Sequence, residues 1–333
     1  MYKEILCNFE NIRKAYRLAH RGKTNAPEVI EFDKNKLYNL HKLQKKLINK
    51  EWDNIFEYYN FKIRVPKERN VDALTFEGRI VQHVLVDEIL RPWFEKRLIK
   101  ENSACRIGKG THYALRLLKQ AMLKQNTYAL KIDVKKYFPN IDREILKELL
   151  KGFPDNEIIK LLEFIIDEAP DNNGIPIGNQ TSQWFALYYL DAIDRIIKNT
   201  CKGYVRYMDD LIVLGAKDIL KSLLERLKSF AWNKRKLIFN SKTQICPIRK
   251  GITFLGWRFI KRNKIIMKIP NEKRKLRISK IKETYAKYFR GKTTFEQFCD
   301  SIRSIKENLR YGNTYYFRMK YGGDIICLNK LIR

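Results

Sequence analysis

The sequence predicts an α+β fold organised around an antiparallel sheet. Three observations carry this. Tyr204 to Leu214 is an apolar, β-branched and aromatic run with a polar break at its centre, the pattern of a hairpin. Tyr128-Ala129-Leu130-Lys131-Ile132-Asp133 is another apolar strand, ending in an acid. Between and around them lie stretches with apolar residues at helical spacing, so strand and helix alternate through the middle of the chain.

Taken in order, residues 1–50 read as basic helices, with Asp33 a cap opening a helix from Lys34 to Lys50. Residues 51–66 alternate aromatic, apolar and charged groups and read as short strands ending at Val65-Pro66. Thr75 to Leu98 carries Ile80, Val81, Val84, Leu85, Ile89 and Leu90 at helical spacing, a buried helix broken near Pro92. Gly108-Lys109-Gly110-Thr111 is a loop opening a helix from His112 to Lys124. Asp142 caps a helix through Leu150, Asp155 to Glu168 is helical, and a helix from Gln180 to Lys198 follows a Gly-Pro loop. After the hairpin come a helix near Asp218 to Trp232 and a strand near Lys236 to Asn240.

The 333 residues suffice for two or three subdomains with a real core. They carry 68 Lys+Arg against 37 Asp+Glu, a formal net charge of +31. An excess that large repels itself in a compact chain and implies a polyanionic partner. The aromatic content of 12% excludes a disordered basic tail. No apolar run is long enough to span a bilayer and no signal peptide is visible, so no membrane partner is expected. Six scattered cysteines and four scattered histidines argue for reduced thiols, a cytoplasmic location and no structural zinc. From Phe259 onward 20 Lys/Arg face six Asp/Glu, a net of +14 in 75 residues, so this helical tail is a candidate nucleic-acid clamp.

The chemistry concentrates at Tyr207-Met208-Asp209-Asp210, the polar break of the hairpin. An isolated Asp-Asp pair is usually a solvated turn. Between apolar strands, adjacent carboxylates repel each other and resist desolvation unless a cation joins them. Asp133 ends the other strand, and if the two strands are neighbours its carboxylate can share two divalent ions held about 3.5–4 Å apart. Such a pair activates a 3′-hydroxyl, braces an α-phosphate and neutralises leaving pyrophosphate.

Here the sequence resembles a reverse transcriptase. Asp133 to Phe138 is similar to the family's motif A, and Tyr207 to Asp210 matches its Tyr-x-Asp-Asp motif C. Lys242-Thr243 resembles motif D, and Phe254-Leu255-Gly256-Trp257 resembles motif E, the primer grip. In motif B the chain reads Ile177-Gly178-Asn179-Gln180-Thr181-Ser182-Gln183, where most members place Pro-Gln-Gly and then Ser-Pro. That variant is similar to the reverse transcriptases of diversity-generating retroelements. Pro66 to Arg69, Gly78 to His83, Ala104 to His112, Gly251 to Gly256 and Tyr16-Arg17 add to this likeness.

The resemblance implies a right-hand polymerase, with an N-terminal region and fingers at 1–125, a palm at 126–258 and a basic helical thumb at 259–333. It implies RNA-directed DNA synthesis from a bacterial or phage-encoded retroelement RNA, error-prone opposite adenines. The implied partners are template RNA, the RNA/DNA hybrid, dNTPs and a basic accessory oligomer. The implied cofactor is a pair of Mg²⁺ ions, with Mn²⁺ able to substitute, held by Asp133, Val134, Asp209 and Asp210. Asp133, Asp209, Asp210 and the proton donor Lys242 would be catalytic. Phe138 would be the steric gate selecting deoxyribose. Lys67, Arg69, Arg79, Arg106, Ile177, Gly178 and Gln183 would contact nucleotide or template, with Gly178 admitting the nascent base pair. In the thumb, Lys273-Arg274-Lys275-Leu276-Arg277 and Lys280-Ile281-Lys282 would track a duplex. Two rivals stand beside this reading: a phage-defence, retron-like reverse transcriptase with a dedicated or untemplated product, and a polymerase-derived RNA-binding protein without catalysis.

Overall fold

The computed structural model describes residues 1–63, 68–124, 128–170 and 173–321. Four helices open the chain: α1 (Tyr2–Cys7), α2 (Phe9–His20), α3 (Pro27–Lys34) and α4 (Lys36–Asn49). Asp33 is not a cap. It lies in the last turn of α3, where its carboxylate accepts from the Tyr16 hydroxyl at 2.6 Å and faces His20 Nε2 at 2.9 Å. Asn35 begins α4 instead.

An antiparallel hairpin follows, β1 (Tyr58–Ile63) and β2 (Arg69–Leu74), of which the sequence pattern foresaw only the first strand. Next come α5 (Phe76–Val84), a π turn over Leu85–Leu90, and α6 (Arg91–Glu95). The wide π turn takes up Pro92, which lacks a donor for the preceding turn, so the chain continues as helix where a break was expected. After a buried loop, α7 (Thr111–Lys124) leads to β3 (Tyr128–Asp133).

Asp142 caps α8 (Arg143–Leu150) as expected, and Asp155, expected inside the next helix, caps α9 (Asn156–Asp167). The expected single helix over 180–198 is two, α10 (Gln180–Tyr189) and α11 (Asp191–Thr200), parting at Leu190. The reason is competition for carbonyls. Leu187 O accepts from Arg206 at 2.8 Å and Tyr189 O from Arg235 at 2.9 Å, in place of amides one turn on.

The hairpin is β4 (Gly203–Tyr207) and β5 (Asp210–Gly215), followed by α12 (Lys217–Arg235). The strand expected near Lys236–Asn240 is reduced to a bridge between Phe239 and Val134, because Lys236 turns left-handed at φ 51° and 240–243 closes a turn. The fourth strand is β6 (Gln244–Pro247), giving the antiparallel order β4-β5-β3-β6. Alternation gives this sheet two buried faces. Leu130, Ile132, Leu211 and Val213 join the large core that includes α8–α12, while Ala129, Ile212 and Leu214 face α7 and a second sheet.

That second sheet is β7 (Ile252–Phe254), β8 (Trp257–Lys261) and β9 (Ile265–Lys268). Leu255 and Gly256 are both left-handed (φ 46° and 82°), a two-residue hairpin turn at the motif E residues. A boundary at 258/259 would therefore cut through β8. Three helices end the described chain: α13 (Asn271–Phe289), α14 (Phe295–Arg310) and α15 (Tyr315–Tyr321). Tyr285 and Tyr288 pack on Phe298 with ring centroids 5.0 and 4.8 Å away, so they form the small core of this unit.

Candidate active site

The acids meet by register. Asp133, the last residue of β3, lies directly opposite Asp210, the first of β5, and Asp210 also pairs with Tyr207 across the hairpin. Met208 and Asp209 form the two-residue turn between them, with Met208 left-handed at φ 56°. A non-glycine residue there carries strain, and the turn is held from beneath. Arg206, fully buried, donates to the Met208 carbonyl at 3.0 Å. Its other edge forms two bonds to Asp194, at 2.7 and 2.6 Å, and Tyr204 adds a third at 2.5 Å. Burial pushes the Asp194 carboxyl up, the guanidinium opposes it, and Arg206 is itself held protonated by that carboxylate. The sequence reading missed both residues, although a lone Arg inside an apolar strand was a signal.

Burial, opposed by Lys131 and reinforced by Asp209 and Asp133, pushes Asp210 up to about 6. Lys131 Nζ stands 3.5 Å from Asp210 Oδ1, an oxygen buried without a hydrogen-bond partner. Such clustered carboxylates at the end of an apolar sheet fit a divalent cation. Among the described residues no three His, Cys, Asp or Glu side chains form a ready metal cage. An ion of the Mg²⁺ kind takes one or two carboxylates and completes its shell with water and substrate phosphates. Asp133 and Asp209 are the carboxylates the sequence singles out for such an ion. Val134, its side chain buried, could offer only its backbone, which its bridge to Phe239 leaves in a pair without mutual hydrogen bonds.

The turn carrying Lys242 is bound to Asp133. Asn240 donates its side-chain amide to Asp133 Oδ2 and its backbone N–H to Asp133 O at 2.8 Å, while Thr243 Oγ1 accepts from Asp133 N at 3.2 Å. Asn240 Oδ1 accepts the Lys242 backbone N–H at 2.7 Å. The structure thus brings the Lys242 turn against the acids, with the Lys242 side chain exposed.

Phe138 sits half-buried on a short 3₁₀ turn, edge-on to Tyr137, and its carbonyl accepts Ile175 N at 3.1 Å. Gly174 is left-handed (φ 75°) and lies against Phe138 and Pro139, so motif B begins on the end of motif A. A Cβ at Gly178 would overlap the Asp72 carbonyl of β2. Its close approach here is to the β1–β2 hairpin backbone. Ile177, Gly178 and Gln183 line one cavity of about 320 Å³ with Arg79 and His83 of α5 and with Arg21 and Lys23. Arg79 pairs there with Glu28.

Arg106 is placed elsewhere. Its guanidinium is spent on Glu95 and on the Ile99 and Asn102 carbonyls, at 2.7, 2.6 and 3.2 Å. It braces the buried loop whose Asn102 bridges Arg206, and has nothing left for a phosphate. Lys67 lies outside the described residues; Arg69 is placed as the first residue of β2. Arg277 of α13 stacks over Trp257 at 5.1 Å, and His112 of α7 stacks on Tyr311 at 3.4 Å.

An antiparallel sheet with acids at one end, a helical layer behind, a tight hairpin turn at 254–257 and a basic helical unit beyond define a right-hand polymerase fold. The family model for reverse transcriptase (RNA-dependent DNA polymerase) matches residues 62–259, more than half the sequence, and the chain belongs to that family. No match is found among the curated proteins. Similar solved structures include an apo telomerase from Candida tropicalis truncated from its C-terminal domain, at 17% identity and a TM-score of 0.50, covering 69% of this chain and 59% of that one. The apo telomerase from Candida tropicalis is similar at 13% identity and a TM-score of 0.46, covering 68% and 51%. This chain thus spans between half and three fifths of the length of those two. Among the described residues no helix is long and apolar enough to cross a membrane.

Proposed function

We propose that this protein is an RNA-directed DNA polymerase that copies a retroelement template RNA into cDNA, with errors concentrated opposite adenines. The observation that carries the polymerase reading is the register pairing of Asp133 with Asp210 beside the Asp209 turn. In this reading 1–125 are the fingers, 126–258 the palm and 259–333 the thumb, with β7–β9 the joint between the last two.

Asp133 and Asp209, with the Val134 backbone, would hold two Mg²⁺ ions, and Asp210 would contribute negative charge behind them. When bound, the ions supply charge neutralisation for the triphosphate and a lowered pKa for the primer 3′-hydroxyl. The chain's own groups do the rest. Arg206 fixes the turn that aims Asp209, and Asn240 fixes Asp133 and the Lys242 turn. Lys242 is the group to protonate departing pyrophosphate. Phe138, half-buried beside Gly174, would exclude a ribose 2′-hydroxyl by contact. The +31 charge suits template RNA, the RNA/DNA hybrid and dNTPs as ligands. A basic accessory oligomer belongs to the diversity-generating form of this reading.

The adenine-specific part rests on the motif B sequence and on the cavity that Ile177, Gly178 and Gln183 line. Sequencing the DNA made by the purified protein on its own operon's RNA, with the neighbouring accessory protein added and Asp209→Ala as control, tests it. Errors gathered opposite adenines support the proposal. Accurate or template-independent DNA transfers the protein to phage defence.

A further inference from the structure

We propose that Gln82 is the positioning residue that fixes the motif B loop to the fingers and thereby sets nucleotide selectivity. The proposal rests on the polymerase reading above. Gln82 lies on α5, is 2% exposed, and uses both ends of its amide on a helix 98 residues away. Its Oε1 accepts the Gln180 backbone N–H at 2.7 Å, and its Nε2 donates to Thr181 Oγ1 at 3.2 Å.

The first bond satisfies one of the opening N–H groups of α10. The opening N–H groups of a helix have no partner within it and normally take one from the N-cap side chain. Asn179, the N-cap of α10, makes no such bond: its Nδ2 donates to the Tyr58 hydroxyl at 2.6 Å, and its Oδ1 is buried without a hydrogen-bond partner. Gln82 supplies the acceptor from another element. The loop is therefore pinned on three sides: by the Asp72 backbone at Gly178, by Tyr58 at Asn179 and by Gln82 at Gln180 and Thr181.

Ile177, Gly178 and Gln183 line their cavity from the two ends of this pinned segment, and Arg79 and His83 flank Gln82 on its own helix. The amide thus couples both walls of one pocket. Base discrimination by shape depends on the rigidity of such walls. Loss of the amide would let the loop rise from α5 and widen the gap.

The experiment compares wild type with Gln82→Met, which keeps the volume and removes both bonds, and Gln82→Glu, which keeps an acceptor for Gln180 and can accept from the Thr181 hydroxyl. Single-nucleotide incorporation on an RNA template should give Gln82→Met a KM for dNTP raised about 5- to 20-fold, with kcat changed less than about threefold and misincorporation raised about fivefold. Gln82→Glu should return most of the change. Amide hydrogen exchange over 178–183 should quicken at least about tenfold in Gln82→Met, with β3 and β5 unaltered. Equal KM and error spectrum in all three proteins, or unchanged exchange over 178–183, overturns the proposal. If Gln82→Met does not fold, Thr181→Val removes one of the two bonds and is read the same way. The exchange measurement needs no turnover, so a wild type that makes no DNA counts against the polymerase reading alone.

Discussion

The Arg206 guanidinium and the Met208 carbonyl, 3.0 Å apart, connect the buried core of the palm-like sheet to the turn that carries Asp209. The same guanidinium holds Asp194 with two bonds, so a core ion pair and the geometry of the acidic tip are one assembly. Asp194→Ala leaves an uncompensated cation in a fully buried position and should cost about 3–5 kcal/mol. Urea unfolding of the variant against wild type checks this. Arg206→Met combined with Asp194→Leu should recover much of the stability and little of the activity, because the Met208 carbonyl stays unsupported.

Asn240→Ala removes the donor to Asp133 Oδ2 and the acceptor for the Lys242 N–H. Loss of an outer-shell partner of a metal ligand typically costs about 10- to 100-fold in affinity or activity. A Mn²⁺ titration followed by electron paramagnetic resonance should show weaker binding, and the Mg²⁺ needed for half-maximal synthesis should rise in step.

Gly178→Ala sets a Cβ against the Asp72 carbonyl. The hairpin or the loop must yield, and overpacking of this kind costs about 1–3 kcal/mol. Thermal unfolding should fall accordingly, and the KM for dNTP should rise more than kcat falls. Unaltered stability would mean that the loop moves freely away from β2.

Arg106→Ala separates a brace from a phosphate ligand. With its guanidinium spent on Glu95, Ile99 and Asn102, the variant should lose about 2–4 kcal/mol of stability. At temperatures where it remains folded, its KM for dNTP should stay within about twofold of wild type. A large KM effect with full stability would restore Arg106 to the phosphate site.

Much of this was legible in the sequence because it rests on local rules. The hairpin around Asp209, the strand ending at Asp133 and the cap Asp142 follow from periodicity and capping chemistry, and all lie where expected. What was not legible depends on partners far along the chain. The break at Leu190 arises because Arg206 and Arg235 take carbonyls of α10. Asp33 reads as a cap by residue type, yet Tyr16 and His20 claim its oxygens. Arg106 reads as a basic loop residue, and only the fold brings Glu95 beneath it. Gln82 and Asn240 are neutral amides with no pattern of their own, and their meaning appears only when two motifs meet.

The most direct test of the central claim is primer extension on a heteropolymeric RNA template, comparing wild type with Asp133→Asn and Asp209→Asn in the presence of Mg²⁺ and dNTPs. Wild type should make DNA complementary to the template, while each variant, still folded by circular dichroism, should fall by at least about a thousandfold. Template-directed DNA from either variant at near wild-type rate would contradict the assignment of these two carboxylates as the catalytic pair.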